Sequence, residues 1–325
     1  MEENVFQNRV ELASFDEQVK KIRAEIGKVI VGQDTMMDLL ITAILADGHV
    51  LIEGVPGVAK TLTAKLLSKV ISADFSRIQF TPDLMPSDVL GTSVFNLKTS
   101  EFEFKPGPIF SNIVLIDEIN RAPAKTQAAL FEVMEERQVT VDGTTYPMKS
   151  PYLVVATQNP IEHEGTYRLP EAQLDRFLFK IVVGYPDPLE EAEILMRHHD
   201  RKGALPATGV QQVLSREQIA TFRKFVSEVH VEKNLITYIT QIIQETRNNP
   251  MLFLGASPRA AIAILASAKA YAILNSRDFV TPEDVKFVAL PVLRHRIILS
   301  PEKEMEGISA DEVVKQIIDK IEVPR

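Results

Sequence analysis

One stretch near residue 50 restricts the possible folds of this chain more than any other. Residues 50–52 (VLI) predict a short buried strand, and the loop 54–61 (GVPGVAKT) follows it directly. From residue 62 to residue 70, apolar side chains recur at helical spacing. A loop of small residues between a strand and a helix is typical of a nucleoside-triphosphate site, because backbone N–H groups and the helix N-terminus both face the phosphates. The sequence therefore predicts an α/β fold around a phosphate loop.

The residues of this loop have separate parts in the expected chemistry. Lys60 would contact the β- and γ-phosphates, and the Thr61 hydroxyl would bind Mg²⁺. Ala59 stands where the usual pattern has glycine, which is unfavourable if the backbone there needs a positive φ. Val31 and Gly32, in the turn between two predicted helices, are candidates for contact with the base, although an ordinary interhelical turn explains them equally well. The candidate nucleotide-binding residues are Gly54, Val55, Pro56, Gly57, Val58, Ala59, Lys60, Thr61, Leu62, Val31 and Gly32.

Polar side chains follow two further predicted strands. Residues 113–116 (IVLI) form a continuous apolar run, typical of a strand covered on both faces of a parallel sheet, and the run ends in Asp117 and Glu118. Asp117 can hold hydrated Mg²⁺, and Glu118 can orient and deprotonate an attacking water. A second buried run, 152–157, precedes Asn159, whose amide could hold the water or the γ-phosphate. An amide before a proline is equally typical of a turn.

The pattern along the chain predicts two domains. Strands and helices alternate in residues 1–184, which we expect to form a parallel sheet flanked by helices. Residues 184–188 (GYPDP) interrupt the pattern, and residues 185–325 are predicted to form a smaller helical domain.

Within these domains, four segments have particular patterns. Alternating apolar residues predict two inserted β-hairpins, at 92–104 and 138–146. The prolines and aspartates of 81–91 (TPDLMPSDVLG) predict a loop. Towards the C-terminus, a helix is predicted over 282–289, with Pro282 at its first position.

Composition narrows the classes of function. The chain has 325 residues, with 44 acidic and 36 basic side chains and a net charge of −8, so no nucleic-acid or anionic-membrane partner is expected. It has no cysteine, which excludes disulfides, thiolate zinc sites and cysteine nucleophiles. The N-terminal residues do not have the pattern of a secretory signal, and no run approaches the roughly 18 apolar residues needed to cross a bilayer. We therefore expect a cytoplasmic protein.

Taken together, the motifs of this chain resemble those of AAA+ ATPases, and within that group the MoxR family. The motifs are GVPGVAKT (54–61), LIDEINRAP (115–123), ATQNP (156–160), GTYRLPEAQLDRF (165–177) and GASPRA (255–260). The resemblance covers nearly the whole chain and implies a AAA+ core with inserted β-hairpins plus a smaller all-α lid. It implies Mg²⁺-dependent hydrolysis of ATP, with Lys60 and Thr61 in the Walker A site and Asp117 and Glu118 in the Walker B site.

The same resemblance assigns three further residues and the partners. It implies that Asn159 is the first sensor, that Arg176 is an arginine finger reaching a neighbour's γ-phosphate, and that Arg259 is the second sensor on the lid. A ring, usually of six chains, is implied, together with a client protein such as a partner carrying a von Willebrand factor A domain. Arg168 stands where relatives often have proline, and we assign it no role.

The function that we expect is an ATP-driven, chaperone-like remodeller that assembles or activates client proteins, sometimes for metal-cofactor insertion. The alternatives are a helicase-like nucleic-acid motor, a magnesium-chelatase-like subunit and a nucleotide-gated scaffold with negligible turnover. The acidic total and the scarcity of basic residues at the hairpin tips, where Lys98 stands alone, argue against the motor. The intact Asp117–Glu118 pair argues against the scaffold.

Overall fold

The computed structural model describes residues 2–159, 167, 169–202 and 209–324, with side chains from Phe15 onward. The strands are β1 (Val50–Gly54), β2 (Phe75–Gln79), β3 (Gly91–Asn96), β4 (Glu101–Pro106), β5 (Ile113–Asp117), β6 (Gln138–Val141), β7 (Thr144–Pro147), β8 (Leu153–Gln158), β9 (Phe179–Val183), β10 (Leu252–Leu254) and β11 (Ile298–Leu299). The α-helices are α1 (Glu2–Gly27), α2 (Asp34–Leu45), α3 (Lys60–Val70), α4 (Pro86–Leu90), α5 (Ala124–Glu136), α6 (Glu171–Leu174), α7 (Pro188–Asp200), α8 (Arg216–Glu228), α9 (Lys233–Asn248), α10 (Pro258–Leu274), α11 (Pro282–Leu293), α12 (Pro301–Met305) and α13 (Ala310–Lys320).

A five-stranded sheet with the order β2-β5-β8-β1-β9 forms the centre of the N-terminal part. All four neighbouring pairs are parallel. β5 is buried along its whole length, because helices cover both faces of a parallel sheet and leave little room for polar side chains. The carboxyl ends of the five strands meet at one edge, which we call the carboxyl edge, and their starts form the opposite amino edge.

Alternate residues of each strand pack into separate layers on the two faces of the sheet. Ile52 of β1 belongs to a hydrophobic cluster that also contains Leu40 of α2 and Val288 of α11. Leu51, on the other face, packs in a second cluster with Phe131 of α5. The C-terminal helices therefore share a continuous core with one face of the sheet.

Both expected hairpins are present. β3 pairs antiparallel with β4, and β6 with β7. Two contacts join the hairpins to each other: the Ser93 hydroxyl donates a hydrogen bond to Asp142 at 2.5 Å, and the rings of Phe104 and Tyr146 stack with centroids 4.4 Å apart. The hairpins therefore form one connected unit.

The C-terminal region is helical, as expected, but it also contains a short antiparallel pair formed by β10 and β11. α10 packs on α2, and α11 packs on β9. In the ranges given above, no helix combines the length and the apolar character that crossing a membrane requires.

Two local predictions were wrong. The segment 81–91, predicted to be a loop, contains the short helix α4, in which Pro86 occupies the first turn and Asp88 accepts a hydrogen bond from the backbone N–H of Met85. The helix predicted over 282–289 continues to Leu293 with Pro291 inside it. Burial of the last turn outweighs the hydrogen bond that a proline removes, since Pro291, Val292 and Leu293 are all buried.

Candidate functional site

The phosphate loop connects the end of β1 to the start of α3, as the sequence predicts. Gly57 has a φ of 90°, and Ala59 adopts the left-handed conformation with a φ of 57° immediately before the first helical residue, Lys60. An alanine in this conformation costs about 1 kcal/mol or more relative to glycine. The chain therefore holds the unfavourable conformation that the missing glycine implied, and the N-terminus of α3 points into the loop.

Lys60 and Thr61 both face the carboxyl edge of the sheet. The Lys60 ammonium donates a hydrogen bond to the backbone oxygen of Gly54 at 2.5 Å. The Thr61 hydroxyl lies 3.5 Å from Oδ1 of Asp117, which ends β5. The expected Walker A and Walker B residues are therefore neighbours, although 56 positions separate Thr61 from Asp117 in the sequence.

Asp117 is surrounded by residues from the two strands that flank β5. Nε of Arg77, on β2, lies 2.6 Å from Oδ2 of Asp117, and the Thr157 hydroxyl, on β8, lies 3.2 Å from Oδ1. The carboxylate is nearly buried, with 10% of the side chain exposed. A carboxylate and a hydroxyl side by side suit Mg²⁺, which prefers oxygen ligands and is often held by one or two protein groups together with phosphates and water.

Glu118 follows at the same edge in a left-handed backbone conformation, with a φ of 58°. Its side chain accepts a hydrogen bond from the Gln79 amide at 2.7 Å and lies 3.1 Å from Nε of Arg121. The Glu118 N–H donates to the Thr157 hydroxyl at 3.1 Å. Asn159 comes directly after β8, so it too stands at the carboxyl edge.

Sequence reasoning missed Arg77, Gln79 and Thr157. The alternation of side chains could have indicated the first two, because residues two apart on a strand point to the same face, and both lie on β2. Only the sheet order, with β2 beside β5, turns that alternation into contacts with Asp117 and Glu118.

A hollow of about 180 Å³ adjoins the phosphate loop. Val31 lines it, whereas Gly32 lies outside it, where an added Cβ would be 2.2 Å from a carboxylate oxygen of Glu190. The Gln33 amide joins the interhelical turn to the loop by donating to the Val58 oxygen at 2.9 Å. Sequence reasoning also missed the α7 side of this hollow, which Ile194, Arg197, His198 and Arg201 line.

Arg176 and Arg259 lie together at the other edge of the sheet. Both line a hollow of about 320 Å³ with Gly48 and His49, which directly precede β1. Because β1 has five residues, roughly 16 Å separates this amino edge from the phosphate loop of the same chain. Neither arginine therefore adjoins the loop of its own chain. Arg168 lies outside the described residues.

Both arginines contact residues of their own chain near the amino edge. Arg176 donates to the backbone oxygen of Phe131. Arg259, at the start of α10, forms ion pairs with Glu135 at 2.9 Å and with Asp175 at 3.6 Å. Arg259 is half exposed, so it remains accessible from outside the chain.

His49 forms the buried floor of this amino-edge hollow. Its Nδ1 accepts a hydrogen bond from the Val154 N–H at 3.0 Å, so Nε2 carries the proton and donates to the Met134 oxygen at 3.1 Å. Burial, reinforced by the nearby charge of Arg137, lowers the pKa of His49 to about 3. The ring is therefore neutral near pH 7 and connects β1, β8 and α5.

Comparisons with known proteins agree with this geometry. The family described as "ATPase family associated with various cellular activities (AAA)" matches residues 49–179, and the AAA lid domain matches residues 244–317. The chain is 49% identical to the uncharacterized protein YeaC of Bacillus subtilis, over 92% of each chain. It is 45% identical to the chaperone MoxR1 of Mycobacterium tuberculosis, over 93% of this chain and 81% of that protein.

The fold has a near match among solved structures. A crystal structure of a protein described as a candidate ATPase from Cytophaga hutchinsonii superposes with a TM-score of 0.91 at 44% identity, covering 99% of each chain. The match and the five-stranded parallel sheet confirm the expected α/β core with a lid. The chain belongs to the MoxR family of AAA+ ATPases.

Proposed function

We propose that this protein is a chaperone-like remodeller that hydrolyses ATP with Mg²⁺ as a ring of identical chains, six by family resemblance. One observation carries the proposal. Lys60, Thr61, Asp117 and Glu118 converge at the carboxyl edge, whereas Arg176 and Arg259 lie at the amino edge. An ATPase site assembled from two chains needs this division of residues.

In the proposed reaction, water attacks the γ-phosphorus, and the bond to the leaving ADP oxygen breaks. Glu118 accepts the proton from the attacking water, and a carboxylate has enough lone pairs to keep the hydrogen bond from the Gln79 amide at Oε2 as it does so. Lys60 contacts the β- and γ-phosphates, and the Asn159 amide contacts the water or the γ-phosphate. Thr61 and Asp117 would hold Mg²⁺, which offsets the negative charge of the phosphates when bound.

The cationic part of the site comes from a neighbouring chain in this proposal. Negative charge on the γ-phosphoryl oxygens is stabilised by a positioned guanidinium, and such a finger accelerates transfer by about 10³-fold or more. Arg176 is our candidate for that finger, with Arg259 beside it as the second sensor. Supplying both from the amino edge of a neighbour makes hydrolysis depend on assembly.

Other features of the proposal rest on the sequence pattern or on family resemblance. We propose a cytoplasmic protein with a nucleotide-binding domain at residues 1–184 and a lid at 185–325. The client would be a protein, such as one carrying a von Willebrand factor A domain, and the remodelling could aid cofactor or metal insertion. The Mycobacterium tuberculosis relative named as a chaperone supports the chaperone-like role.

Mixing two inactive variants tests the shared site. Glu118→Gln should bind ATP without turning it over, because the amide cannot accept the proton. Arg176→Ala should bind ATP and turn over at least about 100-fold more slowly than wild type. When the two are mixed, activity should return, because an Arg176→Ala chain with intact Glu118 can receive a finger from a Glu118→Gln neighbour. Phosphate release against the mixing ratio is the measurement.

Two results would contradict the proposal. Normal hydrolysis by Glu118→Gln would remove Glu118 as the base. Mixtures that remain as slow as Arg176→Ala alone, in rings shown to contain both chains by pull-down through a tag on one variant, would mean that Arg176 is not supplied to a neighbour.

A further inference from the structure

Arg296, just after the end of α11, makes an unusual set of contacts for a residue outside the sheet. Its side chain is 4% exposed. The guanidinium reaches residues 175–178, which precede β9 and include Arg176, and we call this stretch the finger segment. Nε donates to the side-chain Oδ1 of Asp175 at 2.6 Å. Nη2 donates to the backbone oxygens of Asp175 at 3.0 Å and Phe177 at 2.7 Å. Nη1 donates to the backbone oxygens of Leu178 at 3.1 Å and Val292 at 2.7 Å.

These contacts use the complete donor set of an arginine. A guanidinium has five N–H donors in one plane, and Arg296 makes five hydrogen bonds, four of them with the finger segment. Burial lowers the pKa of the Arg296 guanidinium, and its hydrogen bond and charge pairing with Asp175 oppose that shift. A lysine at this position would offer a single ammonium and could not reproduce the planar arrangement.

Arg296 is also connected to the second arginine of the amino edge. Asp175 accepts from Arg296 through Oδ1 and pairs with Arg259 through Oδ2 at 3.6 Å. The adjacent residue His295 donates from Nε2 to the Phe177 oxygen at 2.9 Å, on the same segment. The lid thus holds the backbone on both sides of Arg176 and, through one carboxylate, the side chain of Arg259.

We propose that Arg296 is a positioning residue for ATP hydrolysis in the neighbouring chain. It fixes the finger segment so that Arg176 and Arg259 project together from the amino edge, and a movement of the lid is transmitted to that edge through Arg296. Arg296 itself does not contact the nucleotide. The inference rests on the proposed function, in which Arg176 acts on the nucleotide of a neighbour.

The test uses Arg296→Lys and a matched control. Arg277→Lys makes the same substitution at another lid arginine, which forms a bidentate pair with the buried Asp284 at 2.5 and 2.6 Å and has no contact with the finger segment among its described partners. Both variants replace a lid arginine that pairs with a carboxylate, Asp175 for Arg296 and Asp284 for Arg277. Only the first one changes the support of Arg176, so a difference in turnover between them separates positioning from general loss of stability.

We expect Arg296→Lys to lower kcat about tenfold or more, while the Kd of a fluorescent ATP analogue stays within about twofold of wild type. The analogue binds at the carboxyl edge, which is intact. Adding an equal amount of Glu118→Gln should raise turnover per Arg296→Lys chain to about half the wild-type value, because a random neighbour then supplies an intact finger segment in about half of the pairs. Arg277→Lys should keep kcat within about twofold of wild type.

Three outcomes would overturn the inference. The first is a kcat of folded Arg296→Lys within about twofold of wild type, and the second is an equal loss of kcat in Arg277→Lys. The third is a loss of kcat in Arg296→Lys that Glu118→Gln fails to rescue although it rescues Arg176→Ala. If neither Arg176→Ala nor Arg296→Lys is rescued, the shared site of the proposed function fails first. If Arg296→Lys does not fold, Asp175→Asn replaces it, since it keeps the shape and removes the charge facing Arg296. It should show the same rescue with a smaller loss, and normal turnover by a folded Asp175→Asn would equally overturn the inference.

Discussion

The charged side chains at the carboxyl edge already have partners within the chain. Asp117 pairs with Arg77, Glu118 with Arg121, and Lys60 donates to the backbone oxygen of Gly54. Arg77 competes with the Mg²⁺ that the proposed reaction places at Asp117, and the Gly54 oxygen competes with the phosphates for Lys60. In the proposed reaction, binding of ATP and Mg²⁺ would exchange existing contacts for new ones, and the strength of the existing contacts would tune the apparent affinity.

Arg77 gives a direct test of this competition. Arg77→Gln removes a cation 2.6 Å from the carboxylate that would hold Mg²⁺, so the Mg²⁺ concentration for half-maximal ATP binding should fall about threefold to tenfold. The control is Arg216→Gln, which removes a partly exposed arginine paired with Asp74 at 3.3 Å at the amino edge. Titration of Mg²⁺ against fluorescent-nucleotide binding is the measurement. An unchanged or higher Mg²⁺ concentration for half-maximal binding in Arg77→Gln would contradict the prediction.

Among the elements, the buried strands could be predicted from sequence because their continuous apolar runs must be buried in a sheet that is covered on both faces. The apolar run at 113–116 predicted β5, and the two hairpins followed from alternation. α4 could not be predicted, because prolines and aspartates that favour turns also favour the first turn of a helix. The continuation of α11 past Pro291 depends on tertiary burial that a local pattern does not contain.

Some contacts of the site could likewise be predicted from the sequence, and others could not. The approach of Thr61, Asp117 and Asn159 was predictable, because parallel strands place their carboxyl ends at one edge. The contact between Arg296 and Asp175 was not, since 121 positions separate them and neither belongs to a periodic pattern. The position of Arg259 at the amino edge likewise depends on how α10 packs on the sheet-containing part.

The contact between the hairpins predicts an effect on dynamics. Tyr146→Ala removes the stacked pair with Phe104, worth about 0.5–1.5 kcal/mol, so amide hydrogen exchange should accelerate in both hairpins while β5 and β8 stay protected. Phe95→Ala is the matched control, because the ring contact of Phe95 is with Phe102 inside the first hairpin. It should accelerate exchange between residues 91 and 106 only. Acceleration confined to β6 and β7 in Tyr146→Ala would show that the hairpins move independently.

For the whole molecule, stability depends on two buried histidines at the amino edge. Burial lowers the pKa of His49 to about 3, and burial together with the Arg296 charge holds the pKa of His295 well below its usual range. Both rings are neutral in the folded chain but take up protons near pH 6.5 in the unfolded chain. The contribution of these two histidines to the stability of the fold is therefore complete above pH 6.5 and decreases as the pH falls below it.

The loss should amount to roughly 1.4 kcal/mol per pH unit for each histidine over the window below pH 6.5. His49→Asn should be less stable at pH 7.5, yet its stability should fall about half as steeply between pH 6.5 and pH 5, because one histidine remains. The free energy of unfolding in urea at several pH values is the measurement, with the wild-type chain measured in parallel as the reference. An unchanged slope in His49→Asn would contradict the assignment.

The two hairpins also stand at the ends of two separate routes from Glu118. Gln79, which binds the Glu118 carboxylate, ends β2, and the chain then runs through α4 to β3. Arg121, its other partner, precedes α5, which leads to β6. If release of Glu118 on ATP binding shifts the hairpins, ATP changes the affinity of the chain for a protein that binds the hairpins. Thermodynamic linkage then requires that this protein change the affinity of the chain for ATP by the same factor. The client would then be an allosteric effector of ATP hydrolysis as well as the protein that is remodelled.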